Sequence, residues 1–302
     1  MRPILLFGAG TPSGAALLSA AGPRPVLAVG RQRPWLPPTA AGGFLRANLN
    51  DPSGFALPAG EQSWISFAPI WLLAPFLDRL RRDRPGDLGG LRGLVACSSS
   101  SRITKRFAAN GYDRALVERL RRAEESLLTS ADALGIPCRI LAPTLIYGQA
   151  GTYGDRNLSL LLAWMRRLPV LPVPSDSGLR QPIHARQLAA VALTVLERLE
   201  RPASAAELPR HLPIGGDESL PYRAMLTRLR DATPSGDPAH ACRFLPLPPR
   251  LLLWLAQPLL LLSPRRFEAI QRMQADLAGF TPAHELLGGE AEPFPIPPLS
   301  LP

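Results

Sequence analysis

Lysine is nearly absent: the chain carries 34 lysines and arginines together, and Lys105 is its single lysine. Acidic residues are also few, at 24, which leaves a formal net charge of +10. Such an excess invites a nucleic-acid reading, yet the arginines are scattered in pairs such as Arg81-Arg82, Arg121-Arg122, Arg166-Arg167 and Arg265-Arg266. With no long basic run interleaved with aromatics, nucleic acid is not the expected partner, and a surface that attracts phosphorylated ligands or anionic lipid is the safer inference. Cysteine is scarce as well. Cys97, Cys138 and Cys242 are far apart and form no Cys-x-x-Cys pair, so neither a disulfide framework nor a zinc site is expected, and Cys97 and Cys138 read as small core residues. No apolar run approaches the ~20 residues of a spanning helix. Arg2 leads directly into a short strand with nothing resembling a signal peptide, and the expected compartment is the cytoplasm.

What is present points to a globular chain: 302 residues, 46% of them hydrophobic, suffice for one two-part domain or two small ones. The stretch Ile4-Leu5-Leu6-Phe7-Gly8-Ala9-Gly10-Thr11-Pro12-Ser13-Gly14 ends an apolar run in closely spaced glycines, and Ala15-Ala16-Leu17-Leu18 then opens a helix. Glycines at such a strand–turn–helix junction let the backbone approach a pyrophosphate, and the helix N-terminus faces the phosphates. Neither common glycine fingerprint matches in full, since Ser13 stands at one glycine position and Thr11 at another. Ser13 is small enough for close packing, while Thr11 as N-cap and Pro12 at the first helical position are good helix openers. A dinucleotide site is the expectation, and a ligand-free tight turn is the bland alternative.

Residues 25–31 read as the second strand, at the spacing of one βαβ step. An NAD site commonly places an acid here for the ribose 2′-hydroxyl, whereas arginine suits the 2′-phosphate of NADP. The chain offers Arg31 and Arg33, with no acid between Gly14 and Asp51. NADP is therefore expected ahead of NAD, against the alternative of two solvated arginines. Residues 44–49 form a plausible third strand, residues 63–68 a fourth, followed by Pro69 and a helical run over 71–82, and residues 93–98 a fifth that exits into Ser98-Ser99-Ser100-Ser101. Strands alternating with helices predict an α/β fold with a parallel sheet covered on both faces and ligands beyond the strands' carboxyl ends. Gly8, Ala68 and Ser98 would share that rim.

The order of segments resembles the extended, epimerase/dehydratase branch of the short-chain dehydrogenase/reductase family. The resemblance rests on the glycine turn, the fourth strand ending at Ala68-Pro69, the serine exit of the fifth, Ala123-Glu124-Glu125, residues 135–143, Tyr147-Gly148, residues 181–189 and residues 212–216. It implies a Rossmann-type doubly wound sheet with a smaller C-terminal substrate lobe. Residues 1–147 would form the dinucleotide-binding core, completed by about 178–216, and residues 148–177 and 217–302 the lobe. It also implies cofactor contacts from Gly8, Gly10, Thr11, Pro12, Ser13, Gly14, Arg31, Arg33, Ala68 and Pro69, and a sugar-nucleotide substrate. Hydride chemistry in the family uses a Ser or Thr, a Tyr and a Lys four residues later. Here the window 114–118 holds no tyrosine and residues 119–122 no lysine. Tyr112 is the nearest phenol, Lys105 is placed to lower its pKa or bind a phosphate, and Ser98 or Ser99 would orient the substrate. A surface lysine and a polar loop entry are the bland readings of these groups. NADP-dependent oxidoreduction or epimerisation of a nucleotide-linked or lipid-linked sugar is the leading expectation. A cofactor-binding sensor or assembly subunit without turnover is the alternative.

In the lobe, Arg156, Arg166 and Arg180 are candidates for a substrate phosphate, with surface solubility the better reading of each alone. His184 precedes a helix and reads as structural. Residues 251–262, eight of them leucine, with Trp254 among them and Arg250 and Arg265-Arg266 at the ends, are too short to span a bilayer. Their default role is core or homodimer contact. Peripheral membrane contact through 250–266, on the inner membrane face, is the alternative. The proline-rich tail after Gly288 is expected to run extended over the surface.

Overall fold

The computed structural model describes residues 1–38, 42–108, 110–258, 267, 270 and 272–296. Short apolar runs become strands and amphipathic runs become the helices between them, in the order β1 (Ile4–Phe7), α1 (Pro12–Ala20), β2 (Val26–Gly30), β3 (Gly42–Arg46), β4 (Gln62–Ser66), α2 (Ile70–Asp83) and β5 (Leu91–Cys97). The chain continues through α3 (Ser101–Thr104), α4 (Gly111–Ala133) and β6 (Cys138–Pro143). After a lobe segment containing β7 (Ile146–Tyr147), β8 (Gln149–Ala150), β9 (Tyr153–Gly154), α5 (Asn157–Arg167), β10 (Val170–Pro174), β11 (Leu179–Arg180) and β12 (Ile183–His184), it returns through α6 (Ala185–Leu199), α7 (Pro202–Ala205) and β13 (His211–Gly215). β14 (Leu220–Pro221), α8 (Tyr222–Asp231), β15 (Arg243–Leu247) and α9 (Pro249–Ala256) complete the lobe, and β16 (Thr281–Pro282) and α10 (Ala283–Leu287) rejoin the sheet.

Among the described residues the main sheet has the order β16-β13-β6-β5-β4-β1-β2-β3, and every pairing in it is parallel. This is the doubly wound arrangement predicted from the alternating segments. Strand periodicity divides the side chains between two faces. Leu5, Phe7, Trp64 and Leu94 pack with Leu73, Leu77, Leu120 and Leu127 of α2 and α4. Ile4, Leu6, Ile65 and Val95 pack with Leu17, Leu188 and Val195 of α1 and α6. Each fully buried leucine contributes roughly 1.5–3 kcal/mol, so these two faces hold the sheet between its helices.

The third strand starts two residues earlier than the sequence predicts, because Gly42 faces Val26 of β2 so closely that a Cβ there would lie 1.9 Å from the Val26 carbonyl oxygen. No helix connects β2 to β3 or β3 to β4 among the described residues. Phe55, in the second of these loops, fills the uncovered end and stacks with Phe7 and Phe76. A third apolar cluster, with Tyr147, Leu158, Met165, Tyr222, Met225 and Phe294, forms the interior of the lobe. The tail differs from the surface course predicted for it. Phe294 and Ile296 are buried, the Tyr147 hydroxyl accepts the Ile296 N–H at 3.0 Å, and Asp217 accepts the Glu292 N–H at 3.0 Å. Of the leucine-rich stretch, residues 259–262 and the arginines at 265 and 266 lie outside the described residues.

Candidate functional site

Three glycines shape the exit of β1, each for a different reason. Gly8 has φ +79°, and a Cβ on it would lie 2.5 Å from the Ala68 nitrogen. That position is closed to other residues both by backbone conformation and by the exit of β4. Gly14 faces backward, where a Cβ would come within 2.3 Å of the Gly8 carbonyl oxygen, so α1 can start only this close to the turn because the residue is glycine. Gly10 is exposed, and a Cβ there would meet only the Tyr153 ring at 3.6 Å. The Thr11 hydroxyl donates to the Gly8 carbonyl at 2.8 Å and accepts the Gly14 N–H at 3.1 Å, closing the turn and capping α1, with Pro12 as the first helical residue. Ser13 is buried against the core, where its small side chain fits.

The turn opens onto a cavity of about 770 Å³ along the carboxyl ends of β1, β2, β3 and β4. Gly8, Ala9, Gly10 and Ala68 line one end, and Arg31, Arg33, Arg46 and Asn48 the other. Its described lining includes no aspartate or glutamate. Tyr153, on the β8–β9 hairpin, also lines the cavity, and its hydroxyl accepts the Trp35 N–H at 3.2 Å. The hairpin packs against α1, and Gly151 allows it to sit on Trp35, whose ring would come within 2.5 Å of a Cβ there. The structure thus brings Gly8, Gly10, Arg31, Arg33 and Ala68 to one cavity, framed by Thr11, Pro12, Ser13 and Gly14. Pro69 adjoins Ala68 and starts α2. Arg46, Asn48 and Tyr153 are additions that sequence reasoning missed. The first two follow from the rule that placed Gly8 on the rim, since they end β3, and Tyr153 is the lone aromatic of the glycine-rich stretch 148–156.

Ser98, Ser99, Lys105 and Tyr112, expected near the reacting end of the cofactor, lie outside that lining. The Ser98 hydroxyl donates to Glu124 Oε1 at 2.5 Å, and Glu124, only 1% exposed on α4, also receives Arg102 Nη1 at 2.5 Å and lies 3.2 Å from His211 Nε2. Ser99 Oγ accepts the Ser101 N–H at 3.1 Å, a local turn at the start of α3. Lys105 Nζ is 2.8 Å from Asp113 Oδ1, while Arg272 Nη1 is 2.6 Å from Oδ2. Burial of Asp113 works to raise its pKa, but Lys105, Arg272 and Asn110 outweigh it and hold the carboxyl well below the usual range. Tyr112 is 47% exposed in the first turn of α4.

Elsewhere the lobe's polar residues build structure. Arg180 is buried and donates to the carbonyls of Leu179, Ala275 and Arg272, which removes it from the phosphate-binding candidates. Arg166 pairs with Asp237 at 2.9 Å. His184 caps α6 through Nδ1, which accepts the Arg186 N–H, and Gln187 returns a bond to the His184 N–H. Burial, with the nearby Arg186 charge second, brings its pKa down to about 4. Burial of Cys138 pushes its thiol up to about 12, in keeping with a core role. Among the described residues no group of His, Cys, Asp and Glu is arranged to hold a metal ion.

The architecture is shared with solved structures of a UDP-glucose 4-epimerase and a dTDP-glucose 4,6-dehydratase. A protein designated gox2253 has a TM-score of 0.63 to this chain, at 14% identity over 97% of this chain and 94% of its own. UDP-glucose 4-epimerase of Thermus thermophilus, solved with NAD, has a TM-score of 0.57 at 17% identity, covering 82% of this chain and 86% of its own. The dTDP-glucose 4,6-dehydratase of Bacillus anthracis, also with NAD, has a TM-score of 0.55 at 13% identity, covering 82% and 85%. At these identities the likeness is one of fold. No family model and no curated protein matches the chain.

Proposed function

We propose that the 770 Å³ cavity binds NADP(H) and that the chain acts on a nucleotide-linked or lipid-linked sugar at the carboxyl edge of its sheet. The carrying observation is the pairing of a glycine cradle at one end with Arg31, Arg33 and Arg46 at the other, with no acid in the cavity's described lining and Asp51 in the adjoining hollow that Arg31, Arg46 and Asn48 also line. Gly10 carries no Cβ beneath the Tyr153 ring, which would stand 3.6 Å from one, and a pyrophosphate would approach the backbone there. The start of α1 would face the phosphates, the arginines would take the 2′-phosphate, and Tyr153 would close the end over the turn. NADP(H) supplies a hydride donor or acceptor when bound. The solved sugar-nucleotide epimerase and dehydratase of the same fold, both holding NAD, support the cofactor class and the substrate class.

A titration following NADPH fluorescence tests the cofactor assignment. The wild type should bind NADPH at micromolar concentration, and Arg31→Ala/Arg33→Ala should weaken NADPH about tenfold while leaving NADH within about twofold. Equal affinity of the wild type for NADPH and NADH would overturn it. A second reading, binding without turnover, is favoured by one set of observations: the Ser98 hydroxyl is donated to Glu124 and Lys105 is paired with Asp113. Deuterium transfer between labelled NADPH and sugar nucleotides decides between the two. Transfer supports the enzyme, and its absence with cofactor binding intact supports the sensor or assembly subunit.

A further inference from the structure

The lobe carries apolar side chains where solvent should select polar ones. On α9, Leu252 and Ala256 face inward, whereas Leu251, Trp254 and Leu255 are 42, 63 and 53% exposed. Those three positions follow the i, i+3, i+4 spacing of one helical face, so the outward face of the helix is apolar. A similar exposure occurs on a second helix of the lobe. α5 and α9 both pack on β10, and α5 exposes Leu160 and Trp164 one turn apart. β10 pairs in parallel with β15, and Val170 and Leu245 stand exposed on that ribbon.

Charge is distributed as unevenly as hydrophobicity. From Pro238 to Phe267 the sequence has four arginines, Arg243, Arg250, Arg265 and Arg266, and no aspartate or glutamate. The segment 156–175 that contains α5 and β10 likewise has Arg156, Arg166 and Arg167 and no acid. Arg250 is exposed at the start of α9, one residue before the apolar face begins.

We infer that this face of the lobe docks on an anionic lipid surface, with Trp254, Leu251 and Leu255 entering the headgroup boundary and the exposed Arg243 and Arg250 meeting lipid phosphates. Tryptophan and leucine on one helical face beside arginine is the chemistry of a helix lying in a membrane interface. No helix among the described residues is long and apolar enough to cross a membrane. A second copy of the chain is a poorer occupant. A twofold contact apposes the same patch from both copies, and here it would bring Arg243 and Arg250 of the two copies together, whereas Arg166 is already offset by Asp237. Anionic lipid supplies both the apolar phase and the opposite charge.

Co-sedimentation with vesicles tests this, using pure phosphatidylcholine and an equal mixture of phosphatidylcholine and phosphatidylglycerol. The protein should pellet with the mixture and remain soluble with phosphatidylcholine alone, and its partition should fall steeply as salt rises. Trp254→Asp/Leu255→Asp should reduce the partition about tenfold or more, with an unchanged Tm and unchanged NADPH affinity showing that the fold and the cofactor site are intact. Arg250→Glu should lower binding to the mixture alone. Pelleting equal to the wild type in the double variant, or no pelleting with the mixture, would overturn the inference. A dimer seen by light scattering that the double variant dissociates, with no vesicle binding, would overturn it in favour of a second copy.

Discussion

Replacing the three glycines of the turn one at a time with alanine should separate fold from cofactor binding. At Gly8 the alanine would have to hold φ +79° and place its Cβ 2.5 Å from the Ala68 nitrogen and 2.6 Å from the Phe67 carbonyl carbon. The left-handed backbone costs about 1–2 kcal/mol and the overpacking about 1–3 kcal/mol, for a total of about 2–5 kcal/mol. Gly14→Ala gains about 1 kcal/mol of helix propensity but drives a Cβ to 2.3 Å from the Gly8 oxygen, so α1 must retreat from β1 and stability should still fall. Gly10→Ala is the discriminating change. Its Cβ meets only the Tyr153 ring at 3.6 Å, an ordinary contact, and the folded protein should keep its stability. The new methyl group would occupy the space proposed for the pyrophosphate and should weaken NADPH at least about tenfold, ~1.4 kcal/mol. Thermal melts report the first two, with about 2 °C lost per kcal/mol in a chain of this size, and an NADPH titration reports the third. Unchanged NADPH affinity in Gly10→Ala would refute the placement of the phosphates on this turn.

Three other changes test the polar scaffold. Glu124→Ala strips the acceptor from Ser98 and one partner from Arg102, and should cost about 1–3 kcal/mol in a urea melt, reduced by the partial exposure of Arg102. An unchanged midpoint would show that the carboxylate does not secure the β5 exit to α4. Lys105→Ala and Asp113→Asn should couple by about 1 kcal/mol in a double-mutant cycle, because the two side chains meet at 2.8 Å with Asp113 buried. Additive effects would contradict a structural ion pair. His184 is held neutral in the fold, with a pKa of about 4 against about 6.5 unfolded, so the unfolded chain takes up the extra proton between those values. Its contribution is full above about pH 6.5 and is lost as pH falls through 4, a difference of about 3 kcal/mol. His184→Asn keeps an N-cap acceptor and should flatten the stability profile over that window; a slope equal to the wild type would rule His184 out as its source.

Much of the parallel sheet was legible because its determinants are local. β1, β2, β4 and β5 are short apolar runs with glycine or proline nearby, and Thr11 and Pro12 announce the start of α1. β3 was placed late because Gly42 joins the strand through its close approach to Val26, which is long-range information. The arginine end of the cavity was half legible: Arg31 and Arg33 follow β2 directly, but Arg46 enters only through the register of β3 on β2. The surroundings of Lys105 and Tyr112 were the least legible. Lys105 and Tyr112 looked close in sequence, yet Asp113 of α4 and Arg272, 159 residues further on, define where Lys105 is held. The burial of Phe294 and Ile296 at the end of an otherwise exposed tail escaped for the same reason, since the tail's partners Asp217 and Tyr147 are far away in the chain.

Isothermal titration of the wild-type protein with NADP⁺ and with NAD⁺ under the same buffer and salt tests the central claim most directly. Arg31, Arg33 and Arg46, with no carboxylate in the cavity's described lining, predict NADP⁺ bound at least about tenfold more tightly than NAD⁺. Tighter binding of NAD⁺, or no heat of binding with either, would contradict it.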